Sequence, residues 1–136
     1  MTGVILVDSS VWIDHFNGNP NAPVRWLRDA LEDGEADVIT GDLIVQEVLQ
    51  GFRVDSHFVK TERALAQLSC VVLGGRDNCV SAARMYRRLR NLGVTFRKPP
   101  DALIAAFCVK ERVTLLHNDR DFKPLVAHCE LHEVTV

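Results

Sequence analysis

The chain has no C-x-x-C pair. Its four cysteines, Cys70, Cys79, Cys108 and Cys129, are scattered, which argues against a zinc site or a disulfide framework. Three of them stand in apolar segments, and we expect reduced, core-facing thiols in a cytoplasmic protein. Long apolar runs are missing too. Val4 to Val7 and Ala102 to Val109 fall far short of the roughly 20 residues needed to cross a bilayer, so no membrane role is expected. Met1-Thr2-Gly3 offers neither the basic lead nor the apolar stretch of a signal peptide. Charge of one sign is also scarce. Sixteen Lys and Arg against 18 Asp and Glu leave a net charge of -2, so nothing global draws the chain to nucleic acid or acidic membrane. Any such role must rest on a local patch. Without repeats, linkers or low-complexity tracts, 136 residues of which 47% are hydrophobic make one domain, residues 1–136, with a substantial core.

What is present alternates between two periods. Val4-Ile5-Leu6-Val7 reads as a fully buried strand of a parallel sheet. Ser9 or Ser10 can cap a helix carrying Val11, Trp12, Ile13 and Phe16, which Asn17-Gly18-Asn19-Pro20 ends. Helical spacing returns from Ala22 to Asp33, stopped by Gly34. Val38 to Thr40 is a second strand, and Asp42 is a suitable N-cap for a helix from Leu43 to Arg53. Further helices fit Phe58 to Leu68, Asp77 to Leu92, and Asp101 to Arg112 after two prolines. Strands fit Cys70 to Leu73 and Val113 to His117, with Glu130 to Val136 as a fifth. The alternation predicts an α/β domain with a mostly parallel central sheet of four to five strands flanked by helices.

Against this frame the acids stand out. Asp8 ends the first apolar strand, and Asp119 follows the fourth by two residues, so both lie at one sheet edge if those strands are parallel. Asp101 falls in the first turn of its helix, where backbone N–H groups favour a negative charge. Glu47 sits at the rim of an apolar helix face. Singly, each has a structural explanation: a cap, a helix charge, a rim residue, or a turn shaped by Asp119 with Asp121. Together they suggest a shared pocket, and like charges in one pocket need a cation. Carboxylates without His or Cys ligands suit Mg²⁺ or Mn²⁺. Such a centre polarises phosphate and acidifies bound water, which makes phosphoester hydrolysis the natural reaction. Ser9 or Ser10 could position a phosphate or water, although capping explains either equally well. His117 at a strand end reads as a structural hydrogen-bond partner.

The run Val7-Asp8-Ser9-Ser10-Val11-Trp12-Ile13, the mid-helix Glu47-Val48, Pro100-Asp101-Ala102-Leu103-Ile104-Ala105-Ala106 and Asn118-Asp119-Arg120-Asp121-Phe122 occur in the order and separation of a known family. The chain resembles the PIN-domain ribonucleases, in particular the VapC-type toxins of bacterial toxin–antitoxin pairs, over essentially its full length. The resemblance implies a single PIN-like domain and a metal-dependent endoribonuclease. It also implies that Asp8, Glu47, Asp101 and Asp119 surround Mg²⁺ or Mn²⁺, with Asp121 as an outer contributor. It further implies a homodimer silenced by a small antitoxin. Two residues depart from the commonest pattern: His117 replaces a usual threonine or serine, and Pro99 a usual threonine. The first puts the hydroxyl contribution of that turn in doubt and leaves the acids untouched.

RNA needs cationic partners, and Arg84 to Lys98 contains no acid. Arg97 and Lys98, beside Asp101, are expected to bind phosphate, with Ser10 assisting. Arg87 and Arg88 read first as the solvated face of a helix whose buried side carries Met85, Leu89 and Leu92, ahead of a phosphate contact. Tyr86 or Phe96 could stack on a base. Trp12, Phe16, Trp26 and Leu27 read as core, with a groove for a partner helix as the minority reading. A non-catalytic RNA-binding module is the rival function, and intact acids at all four positions oppose it. A phospho-acceptor receiver domain ranks lower, because Asp8-Ser9-Ser10 lacks adjacent acids and Cys70 to Leu73 precedes no acceptor Asp.

Overall fold

The computed structural model of the protein describes residues 3–94 and 98–136. The elements are β1 (Val4–Val7), α1 (Ser9–Phe16), α2 (Ala22–Asp33), β2 (Asp37–Gly41), α3 (Asp42–Leu49), α4 (Asp55–Leu65), β3 (Cys70–Val71), α5 (Arg76–Asn91), α6 (Pro99–Glu111), β4 (Thr114–Leu116) and α7 (Lys123–Cys129), with a 3₁₀ turn at Arg120–Phe122. The sheet order is β3-β2-β1-β4, and every pair is parallel: Leu6 lies opposite Ile39 and Leu115, and Thr40 opposite Cys70.

That order positions the site. From β1 the chain steps outward to β2 and β3, then returns through α5 and α6 to place β4 on the other flank of β1. The direction reverses between β1 and β4, and in open parallel sheets a crevice forms there, outside the carboxyl ends of the strands. Burial on both faces explains the apolar strands: Leu6, Val7, Leu115 and Leu116 are fully buried. Helix α6 is apolar nearly all round because it is enclosed, with Ala102, Ile104, Ala105, Ala106 and Cys108 buried. Two glycines have mechanical reasons. Gly34 ends α2 at a left-handed φ of 68°, and a Cβ on Gly41 would collide with the Leu73 side chain.

Several expectations need correcting. Glu130 to Val136 is not a strand. It contributes one parallel bridge, Glu133 to Leu115, after Glu130 turns the chain at a left-handed φ of 58° to cap α7. Helix α7 itself went unread. It is short and carries Pro124 in its first turn, where a missing N–H is harmless. The first helix is capped by Asp8, not by Ser9 or Ser10. Helix α3 has Gly41 at its N-cap, while the Asp42 carboxylate reaches across to the Leu73 N–H at 2.7 Å. It ends at Leu49, well before Arg53. Helix α4 lies three residues earlier than expected. Strand β3 is two residues long, since Val72 is exposed and Leu73 turns inward. Cys108 and Cys129 are buried thiols, but Cys70 and Cys79 are exposed. Leu92 is exposed, so Ala82, Met85 and Leu89 form the buried side of α5.

Candidate metal centre

Asp8 leaves β1 and is buried as the N-cap of α1. Its carboxylate accepts from the Ser10 N–H at 3.1 Å and the Ser10 hydroxyl at 2.6 Å. Burial raises its pKa, and the Ser10 bonds oppose that rise. The Ser10 hydroxyl also accepts from the Asn118 N–H at 3.1 Å. One side chain therefore braces the end of β1 to the loop after β4.

Asp101 enters from the first turn of α6, held inside by the apolar helix behind it. Its Oδ2 is buried and has no hydrogen-bond partner among the described residues. Burial, then the charges of Asp8 and Asp119, push its pKa to about 7, with Glu47 adding to the rise and Lys98 resisting it. Glu47 is half-buried, and its carboxyl is raised by burial and by Asp8 while a hydrogen bond from the Ser9 hydroxyl favours the charged form. Asp119 starts the 3₁₀ turn and accepts from the Asp121 N–H at 2.9 Å. Burial pushes this carboxyl up, yet the Asp121 N–H and Lys98 together bring it below its usual range.

One oxygen each from Asp101, Asp119 and Asp121 lies within 4.8 Å of the others. Asp121, expected as an outer contributor, stands in this closest group, and its side chain is 43% exposed. Asp8 and Glu47 fall outside that triple, although both act on Asp101 through their charge. The five acids thus share one electrostatic neighbourhood, drawn from β1, α3, α6 and the loop after β4. A cation fits it: the donors are hard oxygens, and Asp101 keeps an oxygen that no group among the described residues satisfies.

Lys98, the N-cap of α6, sends its Nζ to Asp119 at 3.1 Å and to Asp121 at 3.9 Å. The contact with Asp119 raises its own pKa. Arg97, the other proposed phosphate contact, and Phe96 lie outside the described residues. Arg84, Arg87, Arg88 and Arg90 are exposed along α5, with Arg90 stacked over Tyr86. Trp12 and Leu27 are core residues, with Phe16 and Trp26 packed against that core. A groove of about 680 Å³ opens beside Asp119, lined by His117, Arg120, Lys123 and Glu133 on one side and by Ala22 and Pro23 on the other. It flanks the acidic cluster without including Asp8, Glu47 or Asp101.

Sequence reasoning missed the braces. Ser9 on Glu47, Ser10 on Asn118, and Glu133 on His117 at 2.6 Å join residues 16 to 108 positions apart, and no local pattern marks such pairs. His117 does act as the structural hydrogen-bond partner its position implied.

Comparison with known proteins agrees with this architecture. The family model for the PIN domain matches residues 5–126. The chain is 29% identical over 119 residues to VapC ribonuclease Mb1587 of Mycobacterium bovis, covering 88% of this chain and 89% of that protein. The same figures hold for ribonuclease VapC11 of Mycobacterium tuberculosis. Its fold is similar to VapBC2 from Rickettsia felis bound to a DNA fragment from their promoter, with a TM-score of 0.75, 15% identity, and coverage of 96% and 97%. It is also similar to Mycobacterium tuberculosis VapC20, a Sarcin-Ricin loop cleaving toxin, with a TM-score of 0.68, 17% identity, and coverage of 91% and 95%. The structural likenesses speak for the fold, and the family model covers nearly the whole chain. The protein belongs to the PIN domain family.

Proposed function

We propose that this protein is a metal-dependent endoribonuclease acting in the cytoplasm as the toxin of a toxin–antitoxin pair. The single observation that carries the reading is the cluster of carboxylates around a buried, unpartnered Asp101 oxygen at the switch point of the sheet. The VapC ribonucleases among its relatives support RNA as substrate. The VapBC complexes among its structural neighbours support an antitoxin partner, and the homodimer is carried by the family resemblance alone. No helix of the described residues is long and apolar enough to cross a membrane.

Asp101, Asp119 and Asp121, with Asp8 and Glu47, would hold Mg²⁺ or Mn²⁺. When bound, such an ion supplies Lewis acidity toward a phosphoryl oxygen and acidifies water. The protein's own part is positional and electrostatic. Ser10 fixes Asp8, and Ser9 fixes Glu47. Lys98, which pairs with Asp119 and Asp121, would be free to meet a phosphate at the mouth of the site if a bound cation balanced those carboxylates, and Arg97, the residue before it in the sequence, is the second phosphate contact of this reading. Ser10 contributes through Asp8, since its hydroxyl is already shared between that carboxylate and Asn118.

The test is cleavage of a structured RNA by purified protein in Mn²⁺ and in EDTA. Cutting should require the metal and vanish in Asp8→Asn and Asp101→Asn. Undiminished cutting by both variants refutes the mechanism. RNA binding in EDTA without any cutting in Mn²⁺ would favour the non-catalytic reading.

A further inference from the structure

His117 stands at the end of β4, where this chain departs from the hydroxyl residue usual in its family. Its ring is buried, with the side chain 6% exposed, and both nitrogens are engaged. Nδ1 accepts from the backbone N–H of Asp119 at 3.1 Å. A nitrogen that accepts carries no proton, so the proton of the neutral ring sits on Nε2. Nε2 lies 2.6 Å from a Glu133 carboxylate oxygen and donates to it. Glu133 in turn takes the Lys123 ammonium at 2.8 Å. The carboxylate is kept in place by main-chain pairing: the Leu115 N–H reaches the His132 carbonyl, and the Val134 N–H the Leu115 carbonyl, each at 2.9 Å. The Phe122 ring, fully buried, lies 4.9 Å from the imidazole and limits its rotation.

We infer that His117 and Glu133 form a positioning pair for the metal centre, in which the C-terminal segment sets the tautomer of His117 and His117 sets the backbone of Asp119. The inference rests on the metal-dependent reading and extends it to residues outside the acidic set. Without Glu133 only the Asp119 N–H would favour the proton on Nε2, and the ring protonated on Nδ1 would become accessible. A ring protonated on Nδ1 would face the Asp119 N–H donor with a second donor, and the loop would have to shift. Asp119 and Asp121 belong to one turn, because the Asp121 N–H bonds the Asp119 carboxylate, so such a shift moves two of the three closest oxygens together. Partners that orient metal ligands typically change metal affinity or activity by about 10–100-fold when removed. His117 touches no reacting atom in this scheme and acts through Asp119.

The test compares wild type with His117→Ala, His117→Asn, Glu133→Gln and Glu133→Ala. Mn²⁺ affinity is read by calorimetry, kcat and KM on a labelled stem-loop RNA that wild type cleaves, and the tautomer by ¹⁵N NMR of the metal-free protein. We expect His117 to be protonated on Nε2 in wild type and a mixture of tautomers in Glu133→Ala. His117→Ala should weaken Mn²⁺ binding about tenfold or more and lower kcat with little change in KM. His117→Asn, whose side-chain oxygen can accept from the Asp119 N–H, should recover most of the loss. Glu133→Gln, which still accepts from Nε2, should stay within a few-fold of wild type. Should His117→Ala fail to fold, Glu133→Ala, altered at a more exposed position, decides by weakening Mn²⁺ binding several-fold. Wild-type affinity and kcat in both alanine variants, or a proton on Nδ1 in wild type, overturns the inference. A wild type that binds no Mn²⁺ and cuts no RNA instead overturns the functional reading, and the tautomer measurement still decides the His117–Glu133 geometry.

Discussion

Replacing the central acid by its neutral isostere should stabilise the metal-free protein while destroying its chemistry. The folded Asp101 carboxyl titrates near 7, against about 3.9 in an unfolded chain. Between those values the native state holds a proton that the unfolded state has released, so stability falls as pH rises through the window. The distance between those two values sets a ceiling of about 4 kcal/mol. Water reaching the mouth of the site screens part of it, and half, about 2 kcal/mol, is the reasonable expectation. Asp101→Asn removes the penalty, and its amide can donate to neighbouring carboxylates. The lost helix N-terminal charge costs about 0.3–1 kcal/mol, too little to reverse the sign. In EDTA at pH 8 the remaining gain of about 1–1.7 kcal/mol should raise the variant's melting temperature roughly 4 °C above wild type, given about 2–4 °C per kcal/mol. At pH 4.5, where the wild-type carboxyl is protonated, the difference should shrink toward zero. In millimolar Mn²⁺ the order should reverse, because only wild type gains binding free energy. The assay is thermal unfolding by circular dichroism at three pH values with EDTA or Mn²⁺. A variant less stable than wild type in EDTA at pH 8 would refute the claim that these acids repel one another in a desolvated pocket.

Other outcomes follow from single contacts. Lys98→Met should lower metal-free stability slightly at low salt and raise KM for RNA several-fold, leaving the melting temperature in saturating Mn²⁺ near wild type. Equal KM values would remove Lys98 from the substrate path. Phe122→Ala, which empties a fully buried site beneath His117, should cost about 3–5 kcal/mol, read by urea denaturation. Arg87→Ala with Arg88→Ala should flatten the salt dependence of RNA binding if α5 contacts phosphates; an unchanged slope would make that face merely solvated. In cells, induced wild type should arrest growth and Asp101→Ala should not, with equal arrest refuting the toxin role.

Much of this fold was legible because burial on both faces leaves an unmistakable mark. Ile5 to Val7 and most of Ala102 to Val109 are interior, and an acid borders each run. Asp8 and Asp119 followed from the rule that parallel strands share one carboxyl edge. From its helix alone Glu47 was readable equally as a rim or a site residue, since so short an amphipathic stretch gives little periodicity to weigh, and the family resemblance placed it in the site. The strand order was not legible, because nothing local tells β4 to cross to the far flank of β1. Helix α7 hid behind Asp121 and Pro124, residues that signal turns. The tail from Glu130 looked like a strand because Leu131, Val134, Thr135 and Val136 favour extended backbone, yet its part is one bridge that sets Glu133 against His117. Asp121 was undervalued for a similar reason. Its place depends on a turn closed by the Asp119 carboxylate, a geometry that residue types alone do not fix.

The acids also explain why so much of the polar structure is devoted to holding them still. A pocket that keeps Asp8, Glu47, Asp101 and Asp119 together without a cation works against folding, and free carboxylates would relieve the strain by swinging outward. Each is instead tied to a hydroxyl, an amide or the Lys98 ammonium, with the unpartnered Asp101 oxygen as the exception. Asp101 stays inside because α6 is buried along most of its circumference and cannot rotate without exposing Ile104 and Ala105. The hydrophobic core therefore does for Asp101 what hydrogen bonds do for the others. On that logic, cavity-forming changes behind α6, such as Ile104→Ala, should weaken Mn²⁺ binding even in variants that remain folded. Peripheral changes of equal cost to stability, such as Leu65→Ala under α4, should leave it intact. Calorimetric Mn²⁺ titration of the two variants at matched folded fraction separates the cases, and equal affinities would mean that the helix does not hold its acid in place.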